Sequence, residues 1–305
     1  MTIENVALVH GWGLNKAIWL KYVAVLQEHL PTLKFHLIDI PGYGELAHID
    51  SPACIKELAR GCLEQAPEQA MWVGWSLGGM IALQAALFDL EPSAKKVPSA
   101  NEEQVPSAEP SANEEQEPSA QKEPSAHERK EPSADKRFSA KRVQALQLIN
   151  ATPKFVQADD WPSGVDIAIF DKFCNELSSD YERTLGMFLL LQAGASKGSR
   201  ALARDAQQAI SQYANPSELS LRRGIECLAD VDLRSQLEML SLPTQIISGS
   251  LDRVTKPESS RALSQMVPSE LIELHSGHAP FLTNVDSMLK NFERFLNRVE
   301  VCDAA

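Results

Sequence analysis

No stretch of the sequence approaches the ~20 consecutive apolar residues that a membrane-spanning helix needs, so no membrane span is expected. The opening Met1-Thr2-Ile3-Glu4-Asn5 carries no basic region ahead of an apolar core, so no secretory signal is read and a cytoplasmic location is expected. Cysteine is scarce: Cys54, Cys62, Cys174, Cys227 and Cys302 are scattered, without a C-x-x-C pair. An odd, unpatterned set argues for free thiols in a reducing compartment rather than a disulfide framework. No metal-ligand spacing appears, and no metal is expected. Basic residues are in deficit as well, 29 Lys and Arg against 41 Asp and Glu, and a net charge of −12 argues against a nucleic-acid binder. What is present, 305 residues of which 44% are apolar and 23% charged, suffices for one large globular core.

One segment stands outside that core. Residues 92–140 form a degenerate repeat on Pro-Ser-Ala, with seven copies beginning at Pro92, Pro98, Pro106, Pro110, Pro118, Pro124 and Pro132. Its large apolar residues are Val97, Val105 and Phe138, too few to offset the entropy of ordering the backbone. The recurring prolines also block a long helix. A disordered insertion is expected, on a helix-to-strand loop at the end of the sheet remote from the chemistry.

The residues that carry chemistry centre on Gly74-Trp75-Ser76-Leu77-Gly78, which follows the apolar run Ala70-Met71-Trp72-Val73 and leads into a helix-forming stretch. A G-x-S-x-G between strand and helix reads as a nucleophile elbow, where small flanking residues let the serine sit on a tight, strained turn. Two further strand-like runs end in candidate partners. Thr244–Gly249 leads to Asp252, and Glu270–Leu274 leads to His278. A serine hydroxyl becomes nucleophilic when a neutral imidazole takes its proton, and a carboxylate fixes the imidazole tautomer and stabilises the imidazolium. Ser76, His278 and Asp252 supply those roles in the order serine, acid, histidine.

Asp39 also follows a strand, but it precedes the serine and is expected to brace its own turn. His275 lies at a strand end before Gly277 and is read as structural, and His10 as a turn residue whose backbone matters more than its ring. The fourth requirement is an oxyanion hole. Val6–Val9 reads as a buried strand, followed by the glycine-flanked His10-Gly11-Trp12-Gly13. In α/β-hydrolases, which this arrangement resembles, such a loop and the residue after the nucleophile each donate a backbone N–H. Here those residues are Trp12 and Leu77. The resemblance implies an α/β fold: a mostly parallel sheet with helices on both faces and an inserted helical lid. Residues 1–91, 141–158 and 241–305 would form the core, and 159–240 the lid.

Helical periodicity fills that lid segment, over Val165–Leu177, Asp180–Ala193, Ser199–Tyr213 and Pro216–Leu228. The stripe Leu185, Phe188, Leu189 and Gln192 suits either lid lining or helix packing. Between Glu182 and Asp205 there is no acid, whereas Arg183, Lys197, Arg200 and Arg204 all fall there. That patch suits an acidic macromolecular partner or a phosphate, or it is simply a solvated helix surface.

His10-Gly11-Trp12-Gly13-Leu14-Asn15, Gly74-Trp75-Ser76-Leu77-Gly78-Gly79, Arg183-Thr184 with Phe188–Gln192, and His278-Ala279-Pro280-Phe281 together resemble the pimeloyl-[acyl-carrier protein] methyl ester esterases of biotin synthesis. The resemblance covers essentially the whole chain outside 92–140. It implies a cytoplasmic, monomeric, cofactor-free serine carboxylesterase acting on an ester tethered to acyl-carrier protein. Ser76, Asp252 and His278 would be catalytic. Trp12, Ser76, Leu77, Phe188, Leu189, Leu190, Leu191, Gln192 and His278 would contact substrate, and Arg183, Arg200 and Arg204 would meet the acidic carrier. Two departures stand out: nine residues precede His10 where that family opens with an extra antiparallel strand, and Met187 occupies a position where it carries a basic residue. The same three reacting residues also serve short-chain esterases and C–C bond hydrolases. A non-catalytic relative of the fold would be expected to have lost one of them, and none is lost.

Overall fold

A computed structural model describes residues 2–90, 142–179, 183, 186 and 199–302. The expected disordered insertion and most of the second lid helix therefore lie outside the described residues, as do the substrate contacts expected of Phe188–Gln192. Residues 1–91 and 140–305 form one compact unit.

Six strands make a single sheet: β1 (Asn5–Val9), β2 (Lys34–Ile38), β3 (Ala70–Trp75), β4 (Val143–Ile149), β5 (Thr244–Gly249) and β6 (Ser269–Leu274), in the order β2-β1-β3-β4-β5-β6. Every neighbouring pair runs parallel. Parallel strands need crossover connections, and helices fill them: α1 (Leu20–His29), α2 (Ile55–Gln65), α3 (Leu77–Phe88), α4 (Ile167–Ser179), α5 (Ser199–Ile210), α6 (Glu218–Asp230) and α7 (Pro257–Met266), while α8 (Val285–Cys302) follows the last strand. Successive strand side chains point to opposite faces, and the core divides accordingly. On one face Ala7, Val9, Trp72 and Leu148 pack with α2 and α3; on the other Val6, Leu8, Val73 and Ile149 pack with Trp19, Tyr22, Phe281 and Phe292. This is the expected α/β architecture, a parallel sheet with helices on both faces.

Helices α4 to α6 fall between β4 and β5, where the sequence predicts a lid. Their boundaries differ from the periodicity by a few residues, for local reasons. Asp166 accepts from the Ala168 and Ile169 N–H groups, so α4 starts after it and Val165 instead bridges to Val156. The Asn15 carboxamide takes the Ile210 carbonyl and closes α5 three residues before Tyr213. The Ser217 hydroxyl accepts from Ser220 N–H and fixes the start of α6. Arg183 and Gly186 are helical within the second predicted lid segment.

The parallel sheet aligns all its strand C-termini on one edge, and Trp12, Ser76, Leu77, Asp252 and His278 each follow a strand there. Val143 at the start of β4 donates its N–H to Asp89, just beyond α3, so the described chain stops and resumes at the opposite edge.

Candidate active site

Ser76 occupies the turn between β3 and α3 at φ 55° and ψ −121°, a conformation that residues with side chains rarely adopt. Neighbouring backbone leaves room only for glycine. A Cβ at Gly78 would lie 2.3 Å from the Val9 carbonyl oxygen, and one at Gly74 would lie 2.5 Å from the Gly78 carbonyl oxygen. This packing brings the end of β1 against the elbow, so that a Cβ added at Gly11 would lie 3.3 Å from the Ser76 Cβ. Leu77 begins α3, where the first N–H groups have no partner inside the helix and the dipole favours negative charge.

Asp252 and His278 meet directly. Asp252 Oδ2 lies 2.6 Å from His278 Nδ1, with both residues buried. Asp252 Oδ1 accepts from the Val254 and Thr255 N–H groups at 2.7 and 3.0 Å. Because the carboxylate accepts at Nδ1, the imidazole carries its hydrogen there and presents the Nε2 lone pair. That Nε2 is buried and has no hydrogen-bond partner among the described residues, so its bond to the serine is not formed in this structure. Serine–imidazole bonds of this kind commonly tighten only when substrate binds. Trp75, the residue before the serine, links the two sides of the site. Its ring centroid lies 5.4 Å from that of His278, and its Nε1 donates to the His278 carbonyl at 2.8 Å.

Asp39 and His10 resolve differently. Asp39 accepts from the Lys16 and Glu45 N–H groups at 2.8 and 3.0 Å, bracing its turn as expected, and does not bond His278. For His10 the ring proves as important as the backbone. Its Nε2 accepts from Ile40 N–H at 3.1 Å, and its Nδ1 donates to the Gly11 carbonyl at 2.8 Å. Burial lowers its pKa, overriding the Asp39 carboxylate 3.7 Å away, so the ring that shapes the Trp12 loop is neutral.

Trp12 is buried, and its indole Nε1 donates to the Leu221 carbonyl on α6 at 3.0 Å. The loop on which the backbone donor is expected is thus also bonded to α6. Of the basic residues, Arg183 and Arg204 are exposed, and Arg200 lies on α5. α4 leaves Ile167 and Ile169 exposed.

Two supporting residues escape the sequence motifs. Asn150, just past β4 at φ 43°, donates to the His278 and Gly277 carbonyls at 2.7 and 3.2 Å and accepts from Gly249 N–H at 2.7 Å. It ties the histidine loop to the end of the strand that carries the acid. Thr255 contacts both Asp252 and His278. Asparagine's tolerance of positive φ after a strand is the one signal that could have pointed to Asn150.

The alpha/beta hydrolase family model matches residues 6–288. The chain belongs to that family. Among its relatives, the pimeloyl-[acyl-carrier protein] methyl ester esterase of Vibrio vulnificus strain CMCP6 is 29% identical over 296 residues, covering 96% of this chain and 94% of its own. The esterase of that name from Klebsiella pneumoniae strain 342 is 31% identical over 282 residues, covering 92% and 88%. Solved structures with the same fold include an esterase from Exiguobacterium antarcticum (TM-score 0.70, 19% identity, 97% of this chain and 92% of that one). A bromoperoxidase from Bacillus anthracis superposes with a TM-score of 0.71 at 18% identity, over 97% and 92% of the two chains. At these identities the structural likeness speaks to the hydrolase's fold.

Proposed function

We propose that this hydrolase is a serine carboxylesterase that cleaves the methyl ester of a pimeloyl group carried on acyl-carrier protein. The observation that carries the reading is the buried His278, held by Asp252 at 2.6 Å with its Nε2 unpartnered among the described residues, on the same sheet edge as the strained Ser76. In this mechanism Nε2 accepts the Ser76 proton as Oγ attacks the ester carbonyl. The oxyanion is stabilised by the Trp12 and Leu77 N–H groups, with the positive end of α3 behind it. Collapse breaks the bond to the methoxy oxygen, which leaves as methanol with the proton from His278. Water, deprotonated by the same nitrogen, then releases the pimeloyl carboxylate and regenerates Ser76.

The names of the relatives in Vibrio and Klebsiella support the substrate, and the exposed Arg183 and Arg204 support an acidic carrier. On this reading residues 159–240 are the lid, Phe188–Gln192 contact the acyl chain, and no cofactor is required. The test is complementation: the gene should restore growth without biotin to a strain lacking this esterase, and its Ser76→Ala variant should not. Failure of the wild-type gene, alongside normal turnover of a small ester by the purified protein, would reject the substrate and leave the esterase chemistry standing.

A further inference from the structure

We propose that Thr255 is a positioning residue for the Asp252–His278 pair, an inference that rests on the reading of those residues and Ser76 as the reacting set. Thr255 is buried, and its Oγ1 lies 2.8 Å from Asp252 Oδ2, 3.1 Å from His278 Nδ1 and 3.0 Å from the Asn150 carbonyl oxygen. A hydroxyl has one hydrogen to donate and lone pairs to accept with. The Asn150 carbonyl and the Asp252 carboxylate both only accept, so they compete for that hydrogen. The charged acceptor makes the shorter and stronger bond. The hydroxyl therefore donates to Asp252 Oδ2, the same oxygen that receives the imidazole.

The consequence is geometric. Oδ1 is held by the Val254 and Thr255 N–H groups. Without the hydroxyl, Oδ2 would be held by the imidazole alone, and the ring could rock about that single contact. With it, all four bonds set the carboxylate plane, and a Thr255 lone pair also faces Nδ1. Both acceptors on that side require the ring hydrogen to sit on Nδ1, which keeps Nε2 free for the serine. Thr255 thus meets both members of the pair, the acid through its hydroxyl hydrogen and the base through a lone pair.

The test compares Thr255→Val, Thr255→Ser and Asp252→Asn in the full-length protein, with p-nitrophenyl butyrate as substrate. Thr255→Val keeps the side-chain shape and removes the hydroxyl. It should lower kcat about tenfold, as expected for losing one hydrogen bond to a charged group in the transition state, with KM little changed. Thr255→Ser should stay within about twofold of wild type, because the donor is retained. The downfield proton resonance of the Asp252–His278 bond should shift or broaden in the valine variant and persist in the serine variant. A Thr255→Val enzyme with unaltered kcat, beside an Asp252→Asn enzyme that has lost activity, would overturn the role of Thr255 and spare the triad. Equal losses in the valine and serine variants would assign the effect to packing and also overturn it. Full activity in Asp252→Asn would overturn the triad reading itself.

Discussion

The sheet edge and the helical segment between β4 and β5 are built by different means. At the edge, the serine and the acid are placed by backbone: positive φ at Ser76, flanking glycines with no space for a Cβ, and main-chain N–H groups on Asp252, while Trp75 and Asn150 hold the His278 backbone. The helical segment is attached by side chains. Trp12 reaches Leu221, Tyr43 reaches the Ser220 carbonyl, Asn15 reaches the Ile210 carbonyl and Arg223 reaches the Ser51 carbonyl. Backbone placement is rigid and preorganises charge stabilisation. Side-chain attachment lets a sequence vary its helices while the loop beneath keeps its shape. On the proposed reading, the chemistry of this hydrolase belongs to the edge and its choice of substrate to the helices.

The sharpest way to separate the two regions is Asp252→Asn against Asp39→Asn. The first should leave folding intact and lower turnover by up to ~10⁴, because the amide favours the wrong imidazole tautomer. The second removes a brace from the Lys16 and Glu45 N–H groups and should act mainly on thermal stability. Exchanged effects in ester turnover and melting would mean that the acid has been misassigned.

A smaller effect should come from the helices. Changing Arg183, Arg200 and Arg204 together to alanine should lower kcat/KM for a carrier-bound ester about tenfold, worth about 1.4 kcal/mol and diminishing with salt. Turnover of a p-nitrophenyl ester should stay nearly constant, since a neutral ester offers those charges nothing to pair with. Equal loss on both substrates would mean that the helices have misfolded. No loss on either would remove the carrier.

Gly224→Ala tests the attachment itself. A Cβ there would lie 2.5 Å from the Trp12 ring and 2.6 Å from the Tyr43 hydroxyl, so α6 must move or the Trp12 loop must. Overpacking of this kind costs roughly 1–3 kcal/mol, to be read in thermal unfolding. Small-ester turnover should fall with it if the loop yields, and hold if the helix yields. The smallest effect belongs to residues 92–140. Joining Leu90 to Ala140 should leave small-ester activity within about twofold, because loop length enters stability only logarithmically and the junctions lie at the far edge of the sheet. Loss of most activity in a folded deletion variant would show that the segment reaches the site.

The division between edge and helices also explains what the sequence made legible. Strands followed by Ser76, Asp252 and His278 were readable because apolar runs and glycines are local signals, and the structure sets all three on one edge. Asn150 and Thr255 act through contacts 128 and 23 residues away along the chain to His278, which no local spacing encodes. The role of the His10 ring is hidden for the same reason. Its ring is read by Ile40, 30 residues on, across the neighbouring strand. Helix limits in the lid segment drifted because the stops come from Asn15 and from capping Asp166 and Ser217, which periodicity ignores.

The most direct test of the central claim is covalent labelling of Ser76. Incubation with a fluorophosphonate should modify the wild-type protein at one residue, identified as Ser76 by peptide mass. Ser76→Ala should abolish the label and reduce ester turnover by ~10³-fold or more while the protein stays folded. Labelling that persists in the alanine variant, or turnover that survives it, would mean that another residue carries the chemistry.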